Sequence, residues 1–137
     1  MKKLLFISIL SLIPFSMFQA ISAKKTQIPS ITKMENLQKI IKQNPKLIIH
    51  FFNKENIMCT YMVEEVETKI LKQLSKIKVK LIHVPYPESK AIIEKYDIKN
   101  SATYLFLKKG EVIKTIVNPA NINEPQTFLT ETEKVFK

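Results

Sequence analysis

Lys46-Leu47-Ile48-Ile49-His50-Phe51-Phe52-Asn53-Lys54-Glu55-Asn56-Ile57-Met58-Cys59-Thr60 is the stretch on which the fold turns. Its first half is a near-continuous apolar run of β-favouring residues. Such a run suits a strand buried on both faces. Asn53-Lys54-Glu55 reads as a polar turn. Asn56 belongs to the residue types that best cap a helix start. Behind it Met62, Val66, Ile70 and Leu74 recur every four residues, and Val63 widens the stripe. Glu64, Glu65 and Glu67 fall early in this helix and Lys69, Lys72 and Lys76 late, which complements the helix dipole.

Working outward, Gln27–Ile31 is expected as a short edge strand, where Pro29 is tolerated. Thr32 is expected to cap a helix running to Asn44, with Glu35 as its capping-box partner. Met34, Leu37, Ile40 and Ile41 form one face of that helix, and Pro45 stops it. Val79–Val84 is a second buried strand, ended by Pro85 and Pro87, and Glu88–Tyr96 a short helix. Tyr104–Leu107 and Val112–Val117 pair as a hairpin around Lys108-Lys109-Gly110. Gly110, the only glycine, is expected at positive φ. Pro125–Phe136 closes the chain as a helix with Phe128, Leu129, Thr132 and Phe136 inward. The order β-α-β-α-β-α-β-β-α predicts an α/β fold: a mixed central sheet of four to five strands with helices on both faces.

Residues 1–23 have the layout of a secretory signal peptide: Met1-Lys2-Lys3, an apolar core from Leu4 to Phe18, then small residues at Ala20-Ile21-Ser22-Ala23. The core is short for a spanning helix and Pro14 breaks it. The alternative is an uncleaved signal anchor. After cleavage, residues 24–137 form the domain, without a stable membrane span. The expected localisation is the secretory pathway, either secreted or held in a lumen of endoplasmic reticulum or periplasmic type. The formal charge of +10 falls to +8 with the loss of Lys2 and Lys3. All 22 basic residues are lysine. Bidentate reading of bases and phosphates favours arginine, so no nucleic-acid partner is expected. Attraction to acidic partners would be salt-sensitive.

The second diagnostic segment is Tyr96-Asp97-Ile98-Lys99-Asn100-Ser101-Ala102-Thr103-Tyr104-Leu105-Phe106-Leu107-Lys108-Lys109-Gly110-Glu111. With residues 46–60 and the element order, it resembles the thioredoxin family over about residues 30–136. The resemblance implies a thioredoxin-like fold. It also implies two departures. The family's active site is Cys-x-x-Cys at a helix start, where the first thiol attacks a substrate disulfide and the second resolves it. Here that motif is Asn56-Ile57-Met58-Cys59, so the attacking thiol is absent. The family's cis-proline is replaced by Ala102. A cis bond before a non-proline residue costs about 2.5–4 kcal/mol, so Ser101–Ala102 is expected to be trans.

Cys59 is the only cysteine, which excludes an internal disulfide and a dithiol cycle within one chain. It is either a buried, inert hydrophobe or a monothiol forming a mixed disulfide with a partner. The nearby acid Glu55 would raise its pKa; helix-dipole proximity would lower it. His50 falls where the family carries a buried acid. It is either a buried histidine satisfied by its surroundings or an assisting base for Cys59. Tyr86, Tyr96 and Tyr104 read as packing residues. No cofactor and no metal are expected, because His50, His83 and a distant Cys59 are too few ligands.

The functional expectation is a secreted thioredoxin-like domain without dithiol reductase activity. It would act as a binding or accessory subunit in secretory-route protein folding or export, with protein partners. Its contact residues would be Glu55, Asn56, Ile57, Met58, Ser101, Ala102 and Thr103. The alternative is a monothiol thiol-disulfide redox protein using Cys59.

Overall fold

The computed structural model describes residues 28–137. The expected signal peptide, residues 1–23, lies outside them. Helix α1 (Met34–Gln43) precedes strand β1 (Lys46–Phe52). Helix α2 is continuous through three segments, Ile57–Tyr61, a π-helical Met62–Glu67, and Thr68–Lys76. Strand β2 (Lys80–Pro85), helix α3 (Lys90–Lys95), strands β3 (Thr103–Lys108) and β4 (Glu111–Val117), a 3₁₀ turn (Pro119–Ile122) and helix α4 (Pro125–Val135) complete it. The sheet has four strands in the order β2-β1-β3-β4. β1 runs parallel to β2 and antiparallel to β3, and β3 and β4 form the hairpin.

Period-two alternation divides the core cleanly. Ile48, Tyr104 and Phe106 point to one face, where α2 supplies Met62, Val66, Ile70 and Leu74 and α4 supplies Phe128. Leu47, Ile49, Phe51, Ile82, Val84, Leu105 and Leu107 point to the other, beneath Leu37 of α1 and Ile92 of α3. Helices on both faces explain why β1 is apolar almost throughout. Two expected inward residues are more peripheral: Val63 and Leu129 are half-buried.

Two local expectations are corrected. The edge strand over Gln27–Ile31 is reduced, among the described residues, to one bridge from Ser30 to His83. Pro29 accepts from His83 N–H, and Ile31 N–H donates to His83 O, both at 2.8 Å. Pro29 has no N–H to extend the ladder; Gln27 lies outside the described residues. The α1 cap is Lys33, without a side-chain bond, and not Thr32 with Glu35. The tie of Ile31 to β2 holds the chain extended through Lys33 (φ −104°, ψ 137°), one residue past the expected cap.

The β3–β4 turn has Lys109 at φ 52° and Gly110 at φ 85°, the double positive φ of a two-residue hairpin loop. A Cβ on Gly110 would also meet Ile41 Cγ2 of α1 at 3.2 Å. Gly110→Ala is expected to lower stability by about 1 kcal/mol, measured as a drop in urea midpoint with unchanged slope.

Candidate functional site

The start of α2 is built by Asn56. Its Oδ1 accepts from Met58 N–H at 2.9 Å and from Cys59 N–H at 3.4 Å. Its Nδ2 donates to Ser101 Oγ at 2.8 Å. One side chain thus caps the helix and clasps it to the loop before β3. Ile57, next in the chain, is 87% exposed. Glu55 is exposed, and Met58 is half-buried against the α2–α4 core.

Ala102 is buried at φ 61°, a left-handed conformation that costs a non-glycine residue about 1–2 kcal/mol. The backbone around it holds it there. Its N–H donates to Phe51 O at 3.1 Å, and its carbonyl accepts from Asn118 N–H at 3.2 Å. The Ser101–Ala102 bond is trans, as the cis cost implied; the cis bond among the described residues is Tyr86–Pro87. Thr103 is buried, its hydroxyl donating to Asn100 O at 2.8 Å. Of the seven expected contact residues, Glu55, Ile57 and parts of Asn56, Met58 and Ser101 reach the surface, while Ala102 and Thr103 form the floor.

Cys59 is fully buried and free. Its Sγ lies 3.9 Å from Phe51 O. Burial pushes the thiol pKa up, against donors from Asn53, Ala102 and Ser101 that favour the thiolate. The acid that adds to the rise is Glu67, not Glu55.

The group the sequence reading missed is Glu67. The sequence groups it with Glu64 and Glu65 as an early acid complementing the helix dipole, yet it is fully buried. The π segment explains this. A widened turn admits one extra residue, so Val66 and Glu67 both face inward. Beneath them the register sets His83, His50 and Tyr104 side by side on three adjacent strands. Directly opposed residues share a face. Tyr104 OH donates to Glu67 Oε2. His83 Nε2 lies 2.6 Å from Oε1 and His50 Nδ1 2.6 Å from Oε2. An ionised carboxylate only accepts, so His83 Nε2 carries a hydrogen, while His50 Nδ1 faces the same carboxylate as a close contact without an aligned hydrogen bond. The His50 ring stacks on Tyr104 at 4.2 Å, and His83 stacks on Phe52 at 5.2 Å. Burial alone would raise the Glu67 pKa; His50 and His83 overcome it and hold the carboxyl at about 2. Burial lowers the pKa of His50, with Glu67 opposing and His83 adding. His50 is therefore directed to Glu67 and is not among the groups that shift the Cys59 thiol. The expectation that no metal set exists counted Cys59 as the third ligand. Glu67 supplies a third donor beside the two histidines.

No protein-family model and no curated protein sequence matches the chain. Solved structures do. Mitochondrial thioredoxin 3 from Saccharomyces cerevisiae in its oxidised form superposes with TM-score 0.67 and 23% identity, over 80% of this chain and 97% of that one. Oxidised thioredoxin from Plasmodium falciparum gives TM-score 0.61 at 22% identity, over 79% and 97%. Thioredoxin from Trypanosoma brucei brucei gives 0.64 at 16%, over 81% and 96%. The chain has the thioredoxin fold. Identities this low carry the architecture alone. On this thioredoxin fold the start of α2 bears Asn56 and a sealed Cys59, and the buried acid stands on the helix at Glu67 and not on β1.

Removing the shared partner of two histidines and a tyrosine leaves His50 and Tyr104 buried and His83 half-buried without it. Glu67→Ala is expected to cost about 3–5 kcal/mol, while Glu65→Ala, which breaks only the exposed pair with Lys69, costs no more than about 0.5 kcal/mol. Urea unfolding of the two variants makes the comparison. In the wild type, Glu67 has a lower pKa folded than unfolded. Its stabilisation is present above the ordinary value of 4.5 and is lost as pH falls from there toward about 2. Acid denaturation followed by circular dichroism reads that window.

A raised thiol pKa leaves less thiolate at neutral pH. Iodoacetamide is expected to label Cys59 in the native protein at least tenfold more slowly than in urea at pH 7.5, a factor corresponding to about 1.4 kcal/mol of protection. The native rate should still be rising at pH 9. Labelling as fast as in the unfolded chain would contradict the buried geometry.

Proposed function

We propose that this protein is a thioredoxin-fold binding or accessory subunit of the secretory route, without dithiol reductase activity, serving protein folding or export. The carrying observation is Asn56. It occupies the place of the attacking thiol, and its side chain is spent on the α2 cap and on Ser101. The remaining sulfur has no exposed surface, and disulfide exchange requires an accessible thiolate. What the same face offers to solvent is Ile57, flanked by Glu55 and by a shallow groove along Asn56, Met58, Ser101 and Asn118. A large apolar side chain held out at a helix tip, beside groups that are already fixed, suits the anchor of a protein contact. Secretion rests on the N-terminal sequence pattern. No helix among the described residues is long and apolar enough to cross a membrane.

The alternative, a monothiol redox protein, draws on the donors that converge on Cys59 from Asn53, Ala102 and Ser101. Two substitutions separate the readings. Ile57→Asp is expected to abolish capture of the native partner from secretory extract without changing the circular dichroism spectrum, and Cys59→Ser to leave capture intact. Neither protein should reduce insulin in the presence of a thioredoxin reductase system. Insulin reduction by the wild type that disappears in Cys59→Ser would overturn the binding reading in favour of the monothiol one.

A further inference from the structure

The described residues contain a group of metal-ligating side chains that the proposed function leaves unused. His50, Glu67 and His83 each offer a ligand atom, and these atoms lie within 4.8 Å of one another. The chain has two histidines in all, and the sheet register places both against one carboxylate. A second observation sets this apart from an ordinary buried ion pair. Neither ring nitrogen of His50 has an aligned hydrogen-bond partner, and the residue is fully buried. Buried polar groups are almost always hydrogen-bonded. Nδ1 nevertheless approaches Glu67 Oε2 to 2.6 Å, so the ring is aimed into the cluster without being satisfied by it. The Tyr104 hydroxyl meets the same oxygen. Four polar side chains, from β1, β2, β3 and α2, therefore surround one enclosed point.

We propose that His50, Glu67 and His83 form a site for a divalent transition-metal ion, Zn²⁺ foremost, with the Tyr104 oxygen as the nearest fourth donor. The donor chemistry selects the ion. Two imidazoles and one carboxylate suit Zn²⁺, whereas Ca²⁺ and Mg²⁺ take oxygen ligands. Enclosure favours a small tetrahedral ion over one that keeps several waters. Ligand atoms around tetrahedral zinc, with bonds of about 2.0–2.2 Å, stand about 3.3 Å apart. The 2.6 Å contacts must therefore open by a fraction of an ångström as the ion takes the place of the bridging hydrogens. Each imidazole binds as its neutral form through the nitrogen now facing Glu67, so that ring's hydrogen moves to its other nitrogen. The His83 side chain, 12% exposed, is the entry. Cys59 has no part in the site, so the inference stands apart from the question of thiol reactivity.

The test uses tag-free protein, treated with a chelator and then dialysed against Zn²⁺, with Co²⁺ as the spectroscopic probe. One Zn²⁺ per chain should be retained. The thermal midpoint should rise by roughly 10 °C when free Zn²⁺ exceeds its Kd a hundredfold. Co²⁺ should give the intense visible bands of tetrahedral coordination. His83→Gln should abolish uptake and Cys59→Ala should leave it unchanged. In the wild type, Zn²⁺ should shift the imidazole resonances of both histidines, a readout that needs no variant to fold. Absence of retained Zn²⁺, uptake that survives His83→Gln or vanishes with Cys59→Ala, or unmoved imidazole resonances would overturn the site.

Discussion

A carboxylate shut away from water ties the long helix of this protein to its sheet. Taking such a charge out of solvent costs several kcal/mol even after relaxation. Glu67 recovers that cost through Tyr104, His83 and His50, which reach it from three neighbouring strands. The arrangement works in one register alone. A one-residue slip of β2 would turn His83 away and bring Ile82 or Val84 to its place, because strand side chains alternate. The π turn in α2 is equally required. In that segment Val66 and Glu67 both face the core. Helix phase, strand register and the protonation pattern of two imidazoles are thus set against a single group.

The start of α2 and the loop before β3 are locked to each other and to the sheet. Asn56 acts as both cap and clasp, joining the start of α2 to Ser101. Ala102 follows a trans bond. Its left-handed backbone is fixed from β1 by Phe51 and from beyond β4 by Asn118. Both positions are committed to contacts within this molecule. Ile57 remains outward, which is why the face reads as a surface for contact.

Much of the fold was legible because its signals are local or strictly periodic. The apolar run at Leu47–Phe52, the Asn56 cap, the four-residue stripe of α2 and the lone Gly110 in its turn each specify structure through neighbouring residues. The lost edge strand and the shifted α1 cap failed for the opposite reason. The bonds from Pro29 and Ile31 to β2 are tertiary, and they overrode the Thr32–Glu35 pattern. Glu67 was illegible at its own position. It stands beside Glu64 and Glu65 in the same π segment, and what sets it apart is the set of groups that faces it from the sheet. The indirect trace is the pair His50 and His83, each within an apolar strand, since two imidazoles facing one core call for a counter-charge.

The sealing of Cys59 has a consequence of its own. A polypeptide whose one thiol is fully enclosed has no internal disulfide to gain or lose when its surroundings change from reducing to oxidising. The start of α2 is therefore held by packing and hydrogen bonds that such a change leaves in place.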